Sequence, residues 1–226
     1  MKNKPKSALE QLLAIMARLR APDGCRWDRA QDHRTLRFHA VEEVYELLDA
    51  IEAEDDHELA EELGDLLLQI VFHAQMAKER GAFDFEAVCR LLVEKLIRRH
   101  PHVFGNVRNV DTAQAVWAQW DQIKKAEKAG SRSPRHSALD GIPKHLPALL
   151  RTEKLVKKAR KAGLVPRAAP KRRPLSKSQV ARQLFALAAY AQGRGWSAED
   201  LLRAETQKVE RRLRRKERPR RTRSTA

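Results

Sequence analysis

Residues 41–74 read VEEVYELLDAIEAEDDHELAEELGDLLLQIVFHA, and this stretch decides the fold. Val41, Val44, Leu48 and Ile51 recur with the period of one helix, and Leu59, Leu63, Leu66, Leu67, Ile70 and Ala74 with that of a second. Between them, Glu54-Asp55-Asp56-His57 leaves room only for a short connection, so the two helices are expected to form a hairpin. Two helices apolar along one side cannot shelter themselves. Packing against further helices or a second subunit, as in a four-helix bundle, is the usual solution.

The same stretch carries two acidic clusters 19 positions apart, Glu42-Glu43-x-x-Glu46 and Glu61-Glu62-x-x-Asp65. Residues three or four apart share a helix face, so Glu43 projects with Glu46 and Glu62 with Asp65. Four like charges on two neighbouring helices call for a compensating cation, and hard oxygen donors without Cys or His suit Mg²⁺ or Mn²⁺ rather than zinc. Taken alone, either cluster reads equally well as a solvated acidic helix face. Gly64, a poor helix former set among apolar turns, is expected to allow close approach by another helix or a ligand.

Outward from this hairpin nearly every periodic segment reads as helix: 6–20, 36–53, 57–80, 84–99, 112–129 and 146–162, with weaker signals over 178–192 and 198–217. Asp84 is the expected N-cap of the fourth, with Ala87 at N3. No stretch alternates like a strand, so the fold class is all-α. The chain of 226 residues is long enough to bury a sizeable core. Its two cysteines, Cys25 and Cys89, stand in unrelated contexts and no basic-then-apolar leader opens the sequence, so a cytoplasmic, reduced protein is expected. The apolar runs Leu66–Phe72 and Phe185–Ala191 are too short to span a bilayer.

The net charge of +16 is unevenly spread: residues 151–226 hold 24 Lys and Arg against 6 Asp and Glu, and residues 1–150 hold 22 against 24. A polycationic end of that kind attracts nucleic acid or another anionic partner, or is a solvated tail. Residues 164–177, with Pro166, Pro170, Pro174 and five basic residues, read as a linker. After Leu213 the apolar stripe ends, so residues 211–226 are expected to be disordered.

The order Cys25-Arg-Trp27-Asp28, Glu42-Glu43-Val-Tyr-Glu46, Glu61-Glu62-Leu-Gly64-Asp65, Phe83-Asp84-Phe85, Lys95-Leu-Ile-Arg98-Arg99-His100-Pro101-His102-Val103-Phe104, Trp120-Asp-Gln-Ile-Lys124 and Ser137-Ala-Leu-Asp140-Gly-Ile-Pro143 resembles the MazG family of nucleoside triphosphate pyrophosphohydrolases. The resemblance runs from about residue 8 to about 162 and departs from the family's usual Cys-Pro-Trp at Arg26. It implies an all-α fold dimerising into four-helix-bundle cores. It also implies Mg²⁺-dependent cleavage of a nucleoside triphosphate into a monophosphate and pyrophosphate. Carried over by position, Glu43, Glu46, Glu62 and Asp65 are metal ligands, Lys95 and Arg99 contact the triphosphate, and Trp120 and Lys124 lie near the nucleotide. Glu42 or Glu61, beside the ligands, orients the attacking water. Without the resemblance, Lys95 and Arg99 read as a solvated helix end and Trp120 as core.

A damaged second copy follows. Leu184-Phe185-Ala-Leu-Ala-Ala-Tyr190-Ala191-Gln192 parallels Leu67-Leu68-Gln-Ile-Val-Phe-His73-Ala74-Gln75, and Lys208-Val-Glu-Arg211-Arg212 parallels Lys95-Leu-Ile-Arg98-Arg99. Where the first copy has Glu61-Glu62-Leu-Gly-Asp65, the second has Ser178-Gln179-Val-Ala-Arg182, and no counterpart of Glu42–Glu46 exists. The expected organisation is a pyrophosphohydrolase-like domain over 1–130, a connecting segment and helix over 131–163, the linker over 164–177, the degenerate repeat over 178–217 and a basic disordered tail over 218–226. The expected function is nucleotide-pool housecleaning by the N-terminal copy as a homodimer. The alternative is a non-hydrolysing nucleotide-binding or scaffold protein whose basic C-terminal region engages nucleic acid or a protein partner.

Overall fold

The computed structural model describes residues 7–107, 111–129, 137–166 and 174–217. Every regular element among them is helical: α1 (Ala8–Leu19), α2 (Arg26–Ala30), α3 (His39–Ala53), α4 (Asp56–Glu79), α5 (Phe85–Arg99), α6 (Pro101–Phe104), α7 (Ala113–Ala129), α8 (Ala148–Lys161), α9 (Lys177–Gly193) and α10 (Ala198–Glu217). The chain forms two compact units, Met1–Trp120 and Asp121–Ala226, which divide inside α7. No helix among the described residues is long and apolar enough to cross a membrane.

In the first unit α4 is the hub, packed by α1, α3 and α5. Its turns from Gln69 onward supply Val71, Phe72 and Met76 to a core completed by Met16 of α1 and Leu36, with Leu12, Leu13, Leu67, Leu68 and Phe85 around it. The α3–α4 hairpin is tighter than the sequence suggests, because Asp56 and His57 already belong to α4. Glu54 closes α3 in the left-handed region at φ 56°, and the Asp55 side chain caps α4 by accepting from the amides of His57 and Glu58. Asp84 caps α5 through the Ala87 amide at 2.9 Å, as expected. Short helices α2 and α6 were not foreseen. In α2, Arg26 takes a first-turn position that suits proline, and the helix forms without one. The preceding turn needs Gly24, whose Cβ would lie 2.2 Å from the Leu19 carbonyl oxygen.

Arg20 ties the far end of this unit together. Its guanidinium pairs with both carboxylate oxygens of Glu79, at 2.8 and 2.7 Å, and donates to the backbone carbonyls of Asp28 and Gln31. It also lies 5.4 Å from the centre of the Phe72 ring.

In the second unit α8 packs on α10 over Leu139, Leu155, Ala159 and Leu213. Arg151 of α8 is buried and pairs with Glu210 of α10, which also takes Arg214; Arg214 reaches Asp140 in turn. These contacts correct the expectation of disorder after residue 211. Residues 211–217 are the last turns of α10, pinned by buried Leu213, by Arg214 and by Glu217, which accepts from the Ser137 hydroxyl and the Ala138 amide. Helix α9 is different: among its residues only Ala191 is buried. The tail 218–226 and most of the linker, 167–173, lie outside the described residues.

Candidate active site

The hairpin turn between α3 and α4 fixes which faces of the two helices meet, and their acidic positions converge. Glu43 of α3 and Glu62 and Asp65 of α4 bring carboxylate oxygens within 4.8 Å of one another, and all three are half-buried. Glu46, one turn beyond Glu43, is exposed and outside this cluster, yet its charge acts on both Glu43 and Glu62. Burial first, then the neighbouring charges of Asp65 and Glu46, pushes the Glu43 carboxyl above the usual carboxylate range, against the lowering effect of its hydrogen bond from Gln69. Glu62 is raised likewise, by burial and then by Glu46, Asp65, Glu43 and Glu61. Three acids in mutual repulsion are a site that a cation would relieve. Glu62 Oε2 is buried with no hydrogen-bond partner, and such an atom fits a hard divalent ion well.

Gln69 is the residue that sequence reasoning missed. It is 7% exposed, and its Nε2 donates to Glu43 Oε1 at 3.1 Å. A signal for it existed: Gln69 lies four residues after Asp65, on the same face, and is a polar break in the run Leu66-Leu67-Leu68-Gln69-Ile70. Its other amide atom, Oε1, is buried without a partner.

The remaining sequence-predicted residues are placed less closely. Glu42 is exposed and faces His39 at 3.6 Å. Glu61 is exposed and groups with His57 and Glu58 on the first turns of α4, while its charge still reaches Glu62. Lys95 and Arg99 are half-buried, one turn apart on α5, a helix packed on α4. Trp120 is half-buried and meets His100 edge-on with ring centres 5.0 Å apart and Trp117 at 5.5 Å. His102, whose Nδ1 donates to Gln119 Oε1 at 3.0 Å, completes a local packing cluster. Lys124 follows one turn after Trp120 on α7 and is exposed.

In the second unit the helix parallel to α4 begins later. Ser176 and Gln179 form a reciprocal capping box at the start of α9, so the position that corresponds to Glu62 is spent on a helix start. The position of Asp65 is Arg182, and that of Gln69 is Ala186. No carboxylate stands at any of these places.

Over 156 residues the chain is 49% identical to a nucleoside triphosphate pyrophosphohydrolase of Escherichia coli K12, covering 69% of this chain and 58% of that protein. It is 47% identical over 154 residues to the nucleoside triphosphate pyrophosphohydrolase/pyrophosphatase MazG of Thermotoga maritima, covering 68% of this chain and 57% of that protein. An uncharacterized 26.1 kDa protein of Streptomyces cacaoi is 43% identical over 165 residues, which are 72% of this chain and 65% of the other. The chain thus matches a little under three fifths of the length of the two named pyrophosphohydrolases. Residues 31–104 match the MazG nucleotide pyrophosphohydrolase domain, a span that holds α3 to α6, all the clustered carboxylates, Lys95 and Arg99, and stops short of Trp120. Through residues 31–104 the chain is thus similar to the MazG nucleotide pyrophosphohydrolase domain family.

Proposed function

We propose that the chain is a Mg²⁺-dependent nucleoside triphosphate pyrophosphohydrolase that converts an NTP or dNTP and water into the monophosphate and pyrophosphate, with all activity in the N-terminal copy. The observation that carries this reading is the convergence of Glu43, Glu62 and Asp65 within 4.8 Å, with a buried, unpartnered oxygen on Glu62. Glu46 joins them as the fourth ligand, and Mn²⁺ is a chemically suitable substitute. Bound there, the metal supplies charge neutralisation between the carboxylates and the triphosphate, and acidifies water.

The chain's own residues do the rest. Gln69 holds Glu43 in its rotamer, so that carboxylate is oriented before any ligand arrives. Lys95 and Arg99 bind the β and γ phosphates and stabilise the charge that gathers on departing pyrophosphate. Glu61, or Glu42, takes up the proton of the attacking water. Trp120 and Lys124 bind the nucleoside end. The free cysteines Cys25 and Cys89 suit a reducing cytoplasm, where a nucleotide-pool housecleaning activity belongs. Val41, Val44, Leu48, Ile51, Leu63 and Ile70 leave an exposed apolar band on α3 and α4, which supports burial against a second copy as a homodimer.

The test is pyrophosphate release from a panel of NTPs and dNTPs with Mg²⁺, comparing the intact chain with Glu43→Gln and Asp65→Asn. Turnover lost in both variants supports the reading. Nucleotide binding without turnover in the intact chain overturns it in favour of a sensor or scaffold. Sedimentation of the intact chain as a monomer would overturn the dimer.

A further inference from the structure

We propose that the outer face of α10 docks on the phosphate backbone of duplex DNA. The argument begins with where the acidic residues of this helix are used. Glu199 accepts the Ala148 amide at 2.9 Å and pairs with Arg203. Glu210 is taken by Arg151 and Arg214, and Glu217 by Ser137 and Ala138. Glu205 sits 3.6 Å from Lys208, and the remaining acid, Asp200, lies in the first turn at the opposite end of the helix. The acids that hold the unit together are thereby engaged in its interior contacts. Arg211, Arg212 and Arg215 are exposed and make no ion pair among the described residues.

Their spacing aligns them. Lys208, Arg211, Arg212 and Arg215 recur at three and four residues on the side of α10 opposite buried Thr206 and Leu213. At the rise of an α-helix this row covers about 10 Å, a length over which duplex DNA presents about six phosphate charges.

The chemistry of the row selects among polyanions. No aromatic residue lies anywhere on α10, so there is no platform on which unpaired bases could stack. Among the described residues, the exposed apolar side chains on this side are Ala204 and, two turns before Lys208, Leu201, too little to anchor the helix below a lipid headgroup layer. A straight basic helix fits against the wide major groove of B-form DNA, whereas the deep, narrow major groove of A-form RNA excludes it. The face reads charge without reading sequence.

The experiment is fluorescence anisotropy of a short labelled DNA duplex titrated with the full chain over a salt series. The logarithm of the affinity should fall linearly with the logarithm of salt concentration. R211Q/R212Q/R215Q should weaken binding at least tenfold near physiological salt and flatten that slope by about 2 to 3. R211K/R212K/R215K should keep both. Glutamine suits exposed helix positions, so circular dichroism should show both variants as helical as the parent, and NTP hydrolysis should be unchanged in both. Unchanged affinity in the glutamine variant, binding insensitive to salt, or equal or tighter binding to duplex RNA or to phosphatidylserine vesicles would each overturn the proposal.

Discussion

Helices α4 and α9 share a sequence pattern and differ in almost everything the pattern is used for. Ala74 and Ala191 are corresponding residues and both are buried, at 2% and 4% exposure. Beyond that pair the likeness ends. Helix α4 buries Gln69, Val71, Phe72, Ala74, Met76 and Ala77, whereas α9 buries Ala191 alone among its residues. The cause lies outside the helices themselves. A hairpin partner, α3, and α1 cover α4, and the sequence before α9 is a proline-rich basic linker with nothing comparable to α3. An amphipathic stripe states which side of a helix wants burial; the neighbouring segment decides whether burial happens. The carboxylates follow the same logic, because a metal site shared by two helices has no meaning once one of them is missing.

The largest expected break in this comparison is catalytic. Asp65→Asn should lower turnover about 10³-fold, as loss of a ligand to a charge-neutralising ion does. The double change Gln179→Glu with Arg182→Asp in α9 should leave turnover where it was, since no second helix completes the set; a gain in rate would refute the division of labour. Next comes packing. Phe72→Ala on α4 should cost the first unit about 3–5 kcal/mol in chemical denaturation. Phe185→Ala on α9, where the ring is 77% exposed, should stay within about 0.5 kcal/mol. A larger cost at Phe185 would show that something covers α9 in solution.

Metal comes third. Mg²⁺ at a hundred times its Kd should stabilise the first unit by about 2.7 kcal/mol in thermal melts and leave the second unit's transition in place. Because Glu43 and Glu62 titrate above their ordinary value of 4.5, they must shed protons to accept a cation, so the effect should grow as pH rises above that range. The smallest effect tests acid stability. Arg20 holds the Glu79 carboxyl below its ordinary 4.5, so the pair's contribution is fully present above pH 4.5 and is lost as pH falls through the lower folded value. Glu79→Gln should therefore cost about 1 kcal/mol at neutral pH and nothing at pH below the folded value, as read from denaturation at the two conditions.

Helix positions were legible in the sequence because nearly every one carries an apolar stripe, and the observed ends of α4, α5, α9 and α10 fall within a residue or so of the expected ones. The facing pairs of carboxylates were legible for the same reason: spacing on a helix fixes direction. Long-range polar contacts were not. The Arg20 clamp on Glu79 and the Arg151–Glu210 pair join residues 59 positions apart, and no local period announces such a meeting. The order of 211–217 was not legible, because charge density alone does not show the tertiary ion pairs that absorb it. The Gln69 amide was overlooked because a single polar residue in an apolar run looks like noise until its partner is known.

Gly64 has one more consequence. It sits inside α4, exposed, between two of the clustered acids, and apart from its chain neighbours and the adjoining helix backbone no heavy atom lies within 4 Å of where its Cβ would be. The close approach expected there is not made by the described part of this chain. A helix gives up about 1 kcal/mol by keeping glycine instead of alanine at such a place. Position 64 is therefore a ruler: in a series of Gly, Ala, Ser and Val, the first side chain to slow turnover while leaving the isolated helix content intact measures the clearance left for whatever comes to rest against α4.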